Sequence, residues 1–415
     1  MSSTATTPQR VPKDEIWWSN AIFFTGMHVA AVYGAVVLSP WRDLHTYTLA
    51  LCVASWQLAS FGITLGYHRL WSHKAYTARL PLRTALAFMG SLGFQGSIKW
   101  WVVRHRLHHR FTDDPVHDPY SAQLGLFWSH CGWIYYKRAY PRMKMIDKGD
   151  LESDPVVRFQ HRHYIPIALT AGLLLPAVAA RQWGDALGGF VWGGLVARLL
   201  IWHCTFMINS LAHYIGDQPY SEENSSRGTL FIALCTSGEG NHNFHHAFPH
   251  DYRNGPARGD WDPSAWVLHL LHALTNQIPY LHRITDTDYL KAKAGMLSLE
   301  ASRLHERIPK ENVARSESEL PVWGAAEVRE RVRASGEHAG QGGKQLLLLI
   351  DGFIVDATPY ADSHPGGRGI LTEWSISATG KRIKDSTRAF DGLVNKHSKG
   401  AKETMRVYRV ARYEE

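Results

Sequence analysis

The sequence has 415 residues, enough for two or three domains, and carries a formal net charge of +8 at pH 7. No nucleic-acid motif accompanies this charge, so we interpret it as the cationic side of a membrane protein and exclude a nucleic-acid partner. The mean hydropathy of −0.24 conceals a separation between apolar and charged stretches. Four scattered cysteines without a CxxC pair indicate neither a disulfide framework nor a cysteine zinc site.

Four long apolar stretches predict helices that cross a bilayer. The first is too long for a signal-peptide core and lacks a clear cleavage site, so we interpret it as a retained anchor. Residues 1–15 before it are polar and are predicted to be disordered. A shorter apolar stretch, 80–94, is broken by Arg83 and by glycines, which indicates an interfacial or interior position. The four predicted spans cover residues 21–39, 44–67, 164–180 and 186–208.

The distribution of Lys and Arg predicts how these spans are oriented. The connections 40–45 and 181–185 carry one Arg each, whereas the block 68–163 is rich in both residue types. Because cytosolic loops carry the excess of Lys and Arg, four spans place both termini and this block in the cytosol. All the histidine clusters then lie on one side of the membrane, where they can share metal ions.

Histidines are concentrated in three clusters and one supporting pair. In WVVRHRLHHRF and in NHNFHH they are spaced i, i+3 and i+4, so on a helix the three imidazoles of each cluster share one face. HRLWSH contributes two more, and NSLAH places Asn209 and His213 one helical turn apart. Neutral imidazole is the commonest metal ligand, and nine exceed what one ion can use, so two metal ions are implied. The nine are His68, His73, His105, His108, His109, His213, His242, His245 and His246.

The charged segment 286–317 predicts a helix and then a linker, and a second domain follows at 318–415. In that domain the run LLLLIDGFIVDAT predicts a buried strand and a turn. His364 begins HPGG, whose glycines let the backbone approach a flat ring, and His397 is a candidate second axial ligand. Two axial histidines leave no open position on haem iron, which suits electron transfer and not oxygen activation.

The identity of the metals follows from this pairing of sites. Imidazole ligands suit iron, copper, zinc or nickel, but zinc does not change its oxidation state. A tethered module that delivers single electrons argues for a redox metal in the histidine clusters. We therefore predict iron.

Two known families resemble this chain. Residues 17–285 resemble the membrane-bound acyl-CoA delta-9 desaturases of the stearoyl-CoA desaturase type, through GYHRLWSHKAYTARLPLR, HRLHHRF, SHCGW, NSLAHYIG and GEGNHNFHH. Residues 318–411 resemble cytochrome b5 through LIDGFIVDAT, HPGGRGIL and NKHSKG, and the whole is similar to the fused desaturases of fungi. The predicted fold is mainly α, with a four-span desaturase core at 16–285, a cytosolic histidine-box domain and a small α+β haem domain.

The resemblance implies a di-iron centre held by the nine histidines, with Asn209 completing it through a water. It also implies haem b between His364 and His397. The implied reaction inserts a cis double bond between carbons nine and ten of a saturated acyl-CoA, such as palmitoyl- or stearoyl-CoA. O2 is reduced to two waters with electrons from NADH, delivered by NADH–cytochrome b5 reductase through the fused haem domain. The expected location is the endoplasmic reticulum membrane.

The same resemblance points to residues that hold the substrate. The second span lines the methyl end of the acyl chain in the family, and Trp56 lies twelve residues before His68, about 18 Å along a helix. We predict that Trp56 closes this end of the tunnel, with Ser60 on the same helix face. The alternative is that Trp56 faces lipid or packs against another span. The other matching residues are Gln95, Trp101 and Thr205 at the kink of the tunnel, and Asn20, Lys137 and Arg138 at the CoA head group.

Three positions depart from the family pattern. The second box commonly reads RDHRAHH, so Val103 and Arg104 replace an Arg and an Asp, and a CoA contact is lost or relocated. Asn241 stands where an aromatic residue is usual. For Lys137 and Arg138, the alternative is that they are ordinary cations beside a membrane.

Two other functions compete with delta-9 desaturation. The first is a related di-iron acyl hydroxylase, or a desaturase that acts at another carbon. The second is a histidine-rich metal transporter or metal-storage protein, which predicts metal-binding polar residues within the spans. The histidine boxes lie outside the predicted spans, and such a protein gives the haem domain no role.

Overall fold

The computed structural model describes residues 14–307, 315–337, 345–380, 382–393 and 397–415. Most of the segment predicted to be disordered, 1–15, lies outside these ranges. The described residues form two compact units, one ending at Leu299 and the other beginning at Glu300. This boundary falls inside the segment 286–317, and the exact domain limits stay predictions.

Four helices of the first unit are long and apolar enough to cross a membrane, which agrees with the four predicted spans. The second has 27 residues and continues through the first histidine box instead of ending before it. At 1.5 Å per residue it is about 40 Å long, so its last turns can project beyond a hydrocarbon core of about 30 Å. The four helices are Trp18–Leu38, Thr46–Ser72, Tyr164–Trp183 and Ala186–His213.

The fourth span is interrupted at the NSLAH motif. Its regular helix ends at Asn209, Ser210 has φ −113° and ψ −84°, and a single 3-10 turn, Leu211–His213, follows. The Ser210 amide and hydroxyl both donate to the carbonyl oxygen of Phe206, at 3.0 and 2.7 Å. Asn209 and His213 therefore do not lie on one regular helical turn, which corrects the expectation from their spacing.

The second span packs closely against helix Leu80–Leu92, which the sequence placed at the interface or in the interior. A Cβ atom at Gly62 would collide with the backbone of Met89 and Gly90. On the other side of this helix Phe88 is exposed. The helix is not among the four candidate spans.

The remaining elements of the first unit enclose the histidine boxes. Helix Ile98–Arg110 carries the second box and begins at the N-cap Ser97, whose hydroxyl accepts a hydrogen bond from the Trp100 amide. Its buried Val102 and Leu107 join one apolar core with the end of the second span. Two short antiparallel ribbons pair Glu15–Ile16 with Tyr136–Lys137 and Tyr76–Thr77 with Tyr280–Leu281. Further helices are Trp128–Gly132, Trp133–Tyr135, Gly149–Ser153, Pro155–Arg162, Leu230–Cys235, His242–Ala247, Pro263–Leu274 and Asp286–Glu306.

The described part of the second unit contains a four-stranded sheet and three α-helices. The first two strands in the sheet order are parallel, and the other neighbours are antiparallel. The strand order is Val322–Trp323, Arg409–Tyr413, Phe353–Asp356 and Leu347–Ile350, and the helices are Ala325–Glu337, Gly367–Trp374 and Lys399–Val407.

Strand Leu347–Ile350 explains the unbroken leucine run in the sequence. Leu347 and Leu349 face one apolar cluster, whereas Leu348 and Ile350 face a second one. A strand that is buried on both faces needs apolar residues at every position. The predicted fold class, a mainly helical four-span core with a small α+β domain, is confirmed.

Candidate metal centre and haem pocket

The nine predicted histidines lie together in two groups. Within each group, one ring nitrogen per residue lies within 4.8 Å of the corresponding nitrogens of the others. We name them the first and the second histidine group. The first contains His68, His73, His105, His109 and His245, and the second contains His108, His213, His242 and His246.

Each triple cluster is divided between the two groups. In the second box His105 and His109 belong to the first group, and His108 belongs to the second. In the third box the assignment is reversed, with His245 alone in the first group. Each of the two helices therefore contributes histidines to both groups. The rings of His109, in the first group, and His246, in the second, stack at a centroid distance of 4.2 Å.

The ring nitrogens converge in a way that suits bound cations. Nε2 of His68 lies 3.0 Å from Nε2 of His245, and Nε2 of His73 lies 2.8 Å from Nε2 of His105. Nε2 of the buried His108 has no hydrogen-bond partner in the described chain. Convergent imidazole nitrogens, one of them buried without a partner in the described chain, fit a site for metal cations.

Six of the nine histidines have a lowered pKa, which favours the neutral ring. Burial, reinforced by the neighbouring imidazoles, lowers the pKa of each well below its usual range. Metal binding requires the neutral ring, so this shift favours ligation over protonation. The histidines concerned are His73, His105, His109, His242, His245 and His246.

Carboxylates behind the ligand rings are the part that sequence reasoning missed. Oε2 of Glu239 lies 3.1 Å from Nδ1 of His68, and Oδ1 of Asp118 lies 2.9 Å from Nδ1 of His108. Asp118 accepts the Nδ1 hydrogen of His108 and leaves the lone pair of Nε2 for a metal. Glu239 is close enough to do the same for His68, whose Nδ1 makes no hydrogen bond of regular geometry in the described chain. Their place in the sequence offers a signal, since Glu239 stands three residues before the third box and Asp118 shortly after the second.

Glu239 is buried and ionised. Burial alone would raise its pKa, but Arg69 and His68 together hold the pKa below its usual range. Arg69 donates to Glu239 at 3.0 Å and to Asp262 at 2.9 Å.

A narrow cavity adjoins the first histidine group and brings several predicted substrate residues together. The amide nitrogen of Gln95 donates to the hydroxyl of Thr205 at 2.9 Å. Trp101 stacks on the ring of His105 at a centroid distance of 4.7 Å. The predicted residues on the cavity wall are Ser60, Trp101, Thr205 and Asn209.

Trp56 lies behind this wall. Its ring is half-buried in an apolar cluster with Phe24, Ile201 and Trp202. Ile201 also lines the cavity. Trp56 therefore supports the wall from behind, and its role at the end of the tunnel stays a prediction.

The residues predicted for the CoA head group are spread over the start of the first span and a ribbon. Asn20 is half-buried and Lys137 is exposed. Arg138 forms an ion pair with Asp14, and its guanidinium lies 4.2 Å from the ring of Trp128. The charge of Arg138 is therefore already balanced within the protein.

Arg104, one of the departures from the family pattern, lies against Trp100. Its guanidinium is 3.9 Å from the centre of that ring. Burial lowers its pKa, although Tyr120 and Tyr140 oppose the shift.

The second unit contains a cavity of about 470 Å³ that is lined mainly by apolar side chains. The rings of His364 and His397 face each other across it with their centroids 6.2 Å apart, the spacing expected for two axial imidazoles on one iron. Nδ1 of His397 donates to the carbonyl oxygen of Phe390 at 2.7 Å, which leaves Nε2 free to ligate. A Cβ atom at Gly366 would lie 3.0 Å from Cε1 of His364, so glycine gives that ring its space. These residues fit haem.

Comparison with known proteins gives two family matches. The family model described as "Fatty acid desaturase" matches residues 44–282, and that described as "Cytochrome b5-like Heme/Steroid binding domain" matches residues 332–414. The chain is 38% identical over 399 residues to the "Probable acyl-CoA desaturase" of Schizosaccharomyces pombe, covering 95% of this chain and 77% of that protein. It is 34% identical over 395 residues to "Acyl-CoA desaturase 1" of Saccharomyces cerevisiae, covering 95% and 73%. It is 38% identical over 255 residues to "Delta(9)-fatty-acid desaturase fat-7" of Caenorhabditis elegans, covering 59% and 73%.

Proposed function

Because the chain belongs to the fatty acid desaturase family, we propose that it is an acyl-CoA delta-9 desaturase with its own electron-donating haem domain. It inserts a cis double bond between carbons nine and ten of a saturated acyl-CoA and consumes one O2. The observation that supports this proposal is the combination, in one chain, of two histidine groups, a narrow cavity beside the first of them, and a second cavity lined by His364 and His397.

Each histidine group holds one iron ion in this proposal. An unactivated methylene has no acidic proton, so acid–base side chains alone cannot remove its hydrogen. Iron bound by the imidazoles supplies the oxygen chemistry that this step needs. Glu239 and Asp118 keep His68 and His108 in the tautomer that can ligate.

The cavity residues position the acyl chain. Thr205 is fixed by Gln95, and Trp101 is fixed against His105, so both present rigid surfaces next to the first histidine group. Holding one carbon pair beside the reactive centre is the protein's main contribution to such a reaction. Asn20, Lys137 and Arg138 receive the CoA head group, which requires Arg138 to exchange Asp14 for a phosphate or to contact both.

His364 and His397 would hold haem b, and the haem would supply electrons to the metal centre. Two imidazole ligands would leave the haem iron without an open position, which suits electron transfer and not oxygen binding. NADH is the source, and NADH–cytochrome b5 reductase is the proposed partner.

The proposed location is the endoplasmic reticulum membrane, with both termini and the metal centre in the cytosol. His68 and His213 lie near the C-terminal ends of the second and fourth spans, and alternate spans of a four-helix chain run in the same direction. Both therefore reach the same side of the bilayer. The Lys- and Arg-rich block 68–163 supports the cytosolic assignment of that side.

Product analysis tests this proposal against a hydroxylase or a desaturase of another position. Membranes that contain the full-length chain receive palmitoyl-CoA or stearoyl-CoA, NADH and O2, and mass spectrometry locates the new functional group. We expect a monoene with its double bond at carbon nine. A hydroxylated product, or a double bond at another carbon, would contradict the proposal.

A further inference from the structure

Asp118 is a fully buried carboxylate behind the second histidine group. Its Oδ1 lies 2.9 Å from Nδ1 of His108 and accepts the amide hydrogen of Tyr120, also at 2.9 Å. Its Oδ2 accepts the amide of Asp113 at 3.0 Å. Among the residues that the structure describes, no Lys or Arg forms an ion pair with Asp118. The carboxylate thus has hydrogen-bond donors but no positive partner.

Glu239 occupies the equivalent place behind the first histidine group, with a different charge balance. It lies 3.1 Å from Nδ1 of His68, and the buried Arg69 donates to it from Nη2 at 3.0 Å and from Nε at 3.1 Å. Arg69 also pairs with the buried Asp262 at 2.9 Å. The negative charge of Glu239 is therefore balanced by a residue of the protein itself.

A second carboxylate, that of Asp113, also lies near a histidine of the second group. Nδ1 of His213 lies 2.8 Å from the hydroxyl of Ser225, which donates to Oδ1 of Asp113 at 2.6 Å. Asp113 itself is 3.9 Å from Nδ1 of His213. The second histidine group thus has two carboxylates behind its ligands, and in the described chain neither is neutralised by Lys or Arg.

The other ring nitrogen of His108 is also without a partner. Nε2 of His108 is buried and makes no hydrogen bond within the described chain. A cation held at that nitrogen would satisfy its lone pair and balance the charge of Asp118.

We propose that Asp118 is a positioning residue whose charge is balanced by the cation in the second histidine group. Cation binding and protein stability are therefore coupled at that group more strongly than at the first. This inference rests on the metal-binding part of the proposed function. A carboxylate behind a ligand histidine makes that ring a stronger ligand, and its removal typically weakens metal binding about 10–100-fold.

The test compares Asp118→Asn with Glu239→Gln in the purified full-length chain. Each protein is stripped with a chelator, titrated anaerobically with Fe²⁺, and followed by iron counting and thermal unfolding. For Asp118→Asn we expect one of the two ions to bind about 10–100-fold more weakly, and the rise in Tm that Fe²⁺ produces to be smaller than in the parent. For Glu239→Gln we expect a lower metal-free Tm, because the buried Arg69 loses a partner.

Comparing the two variants keeps the inference falsifiable even if one of them does not fold normally. Parental affinity for both ions in Asp118→Asn would overturn it, and so would a rise in Tm on Fe²⁺ binding as large as that of the parent. A failure of metal-free Asp118→Asn to fold counts against it in the same way. If the parent itself binds no Fe²⁺, the proposed function is wrong. This outcome is distinct from a parent that binds Fe²⁺ and an Asp118→Asn variant that behaves like it, which contradicts only the inference about Asp118.

Discussion

His108 is the ligand candidate with the most completely defined surroundings. Its Nδ1 is oriented by Asp118, and its Nε2 lies near the other members of the second histidine group with no hydrogen-bond partner among the described residues. A ring held in this way has one available lone pair in a fixed direction.

Replacing His108 by Ala should abolish desaturation and lower the bound iron, because the second group keeps only three imidazoles. Iron content and product formation are measured on the same membrane preparation. His305→Ala is the matched control, since His305 is exposed and lies outside both groups. Normal iron content together with normal activity in His108→Ala would rule out the assignment.

Trp56→Ala should shift the products from sixteen-carbon toward eighteen-carbon or longer monoenes, with the double bond still at carbon nine. The change removes the support behind Ile201, which lines the cavity. One methylene in a shaped apolar pocket is worth roughly 1–3 kcal/mol of discrimination, so the shift is measurable. Competition assays with mixed acyl-CoAs measure the product ratio.

The control for this change is Trp18→Ala, because Trp18 is 66% exposed at the start of the first span. It should leave the product ratio unchanged. An unaltered ratio in a folded, iron-loaded Trp56→Ala protein would place Trp56 outside the tunnel.

At the level of helices, the second span and helix Leu80–Leu92 depend on a close backbone approach at Gly62. Gly62→Ala should destabilise the protein by about 1–3 kcal/mol, because its Cβ collides with the backbone of Met89 and Gly90. Gly26→Ala, also within a span, has free space around its Cβ and should leave the Tm unchanged or slightly raised. Thermal unfolding in detergent compares the two, and equal Tm values would contradict the close packing.

For the whole molecule, the haem domain is proposed to be the electron donor in the same chain. His364→Ala should eliminate the bis-histidine absorption spectrum and NADH-supported desaturation, because one axial ligand is lost. Added free cytochrome b5 should restore part of the activity, and the iron in the two histidine groups should be unchanged. Full NADH-driven activity in the variant without an added donor would show that electrons enter by another route.

The sequence alone determined the class of protein and the set of nine histidines. Apolar length predicted four spans, because a bilayer imposes a minimum on every crossing helix, and these spans agree with the four helices. The spacing of imidazoles placed the three histidines of each triple cluster on one helix face, and the resemblance to the desaturases implied that all nine share one centre. The continuous apolar run in the second domain predicted a buried strand, which is Leu347–Ile350.

Only the tertiary structure decided how those histidines divide. His105, His108 and His109 share one broad helix face, yet His108 turns toward His213 and His242 while its neighbours turn toward His68 and His73. Helical periodicity fixes which side chains point the same way, but not which elements stand opposite them. For the same reason the sequence did not predict the roles of Asp118 and Glu239, because the histidines that they contact are brought to them by folding. It also did not predict the helix break at Ser210.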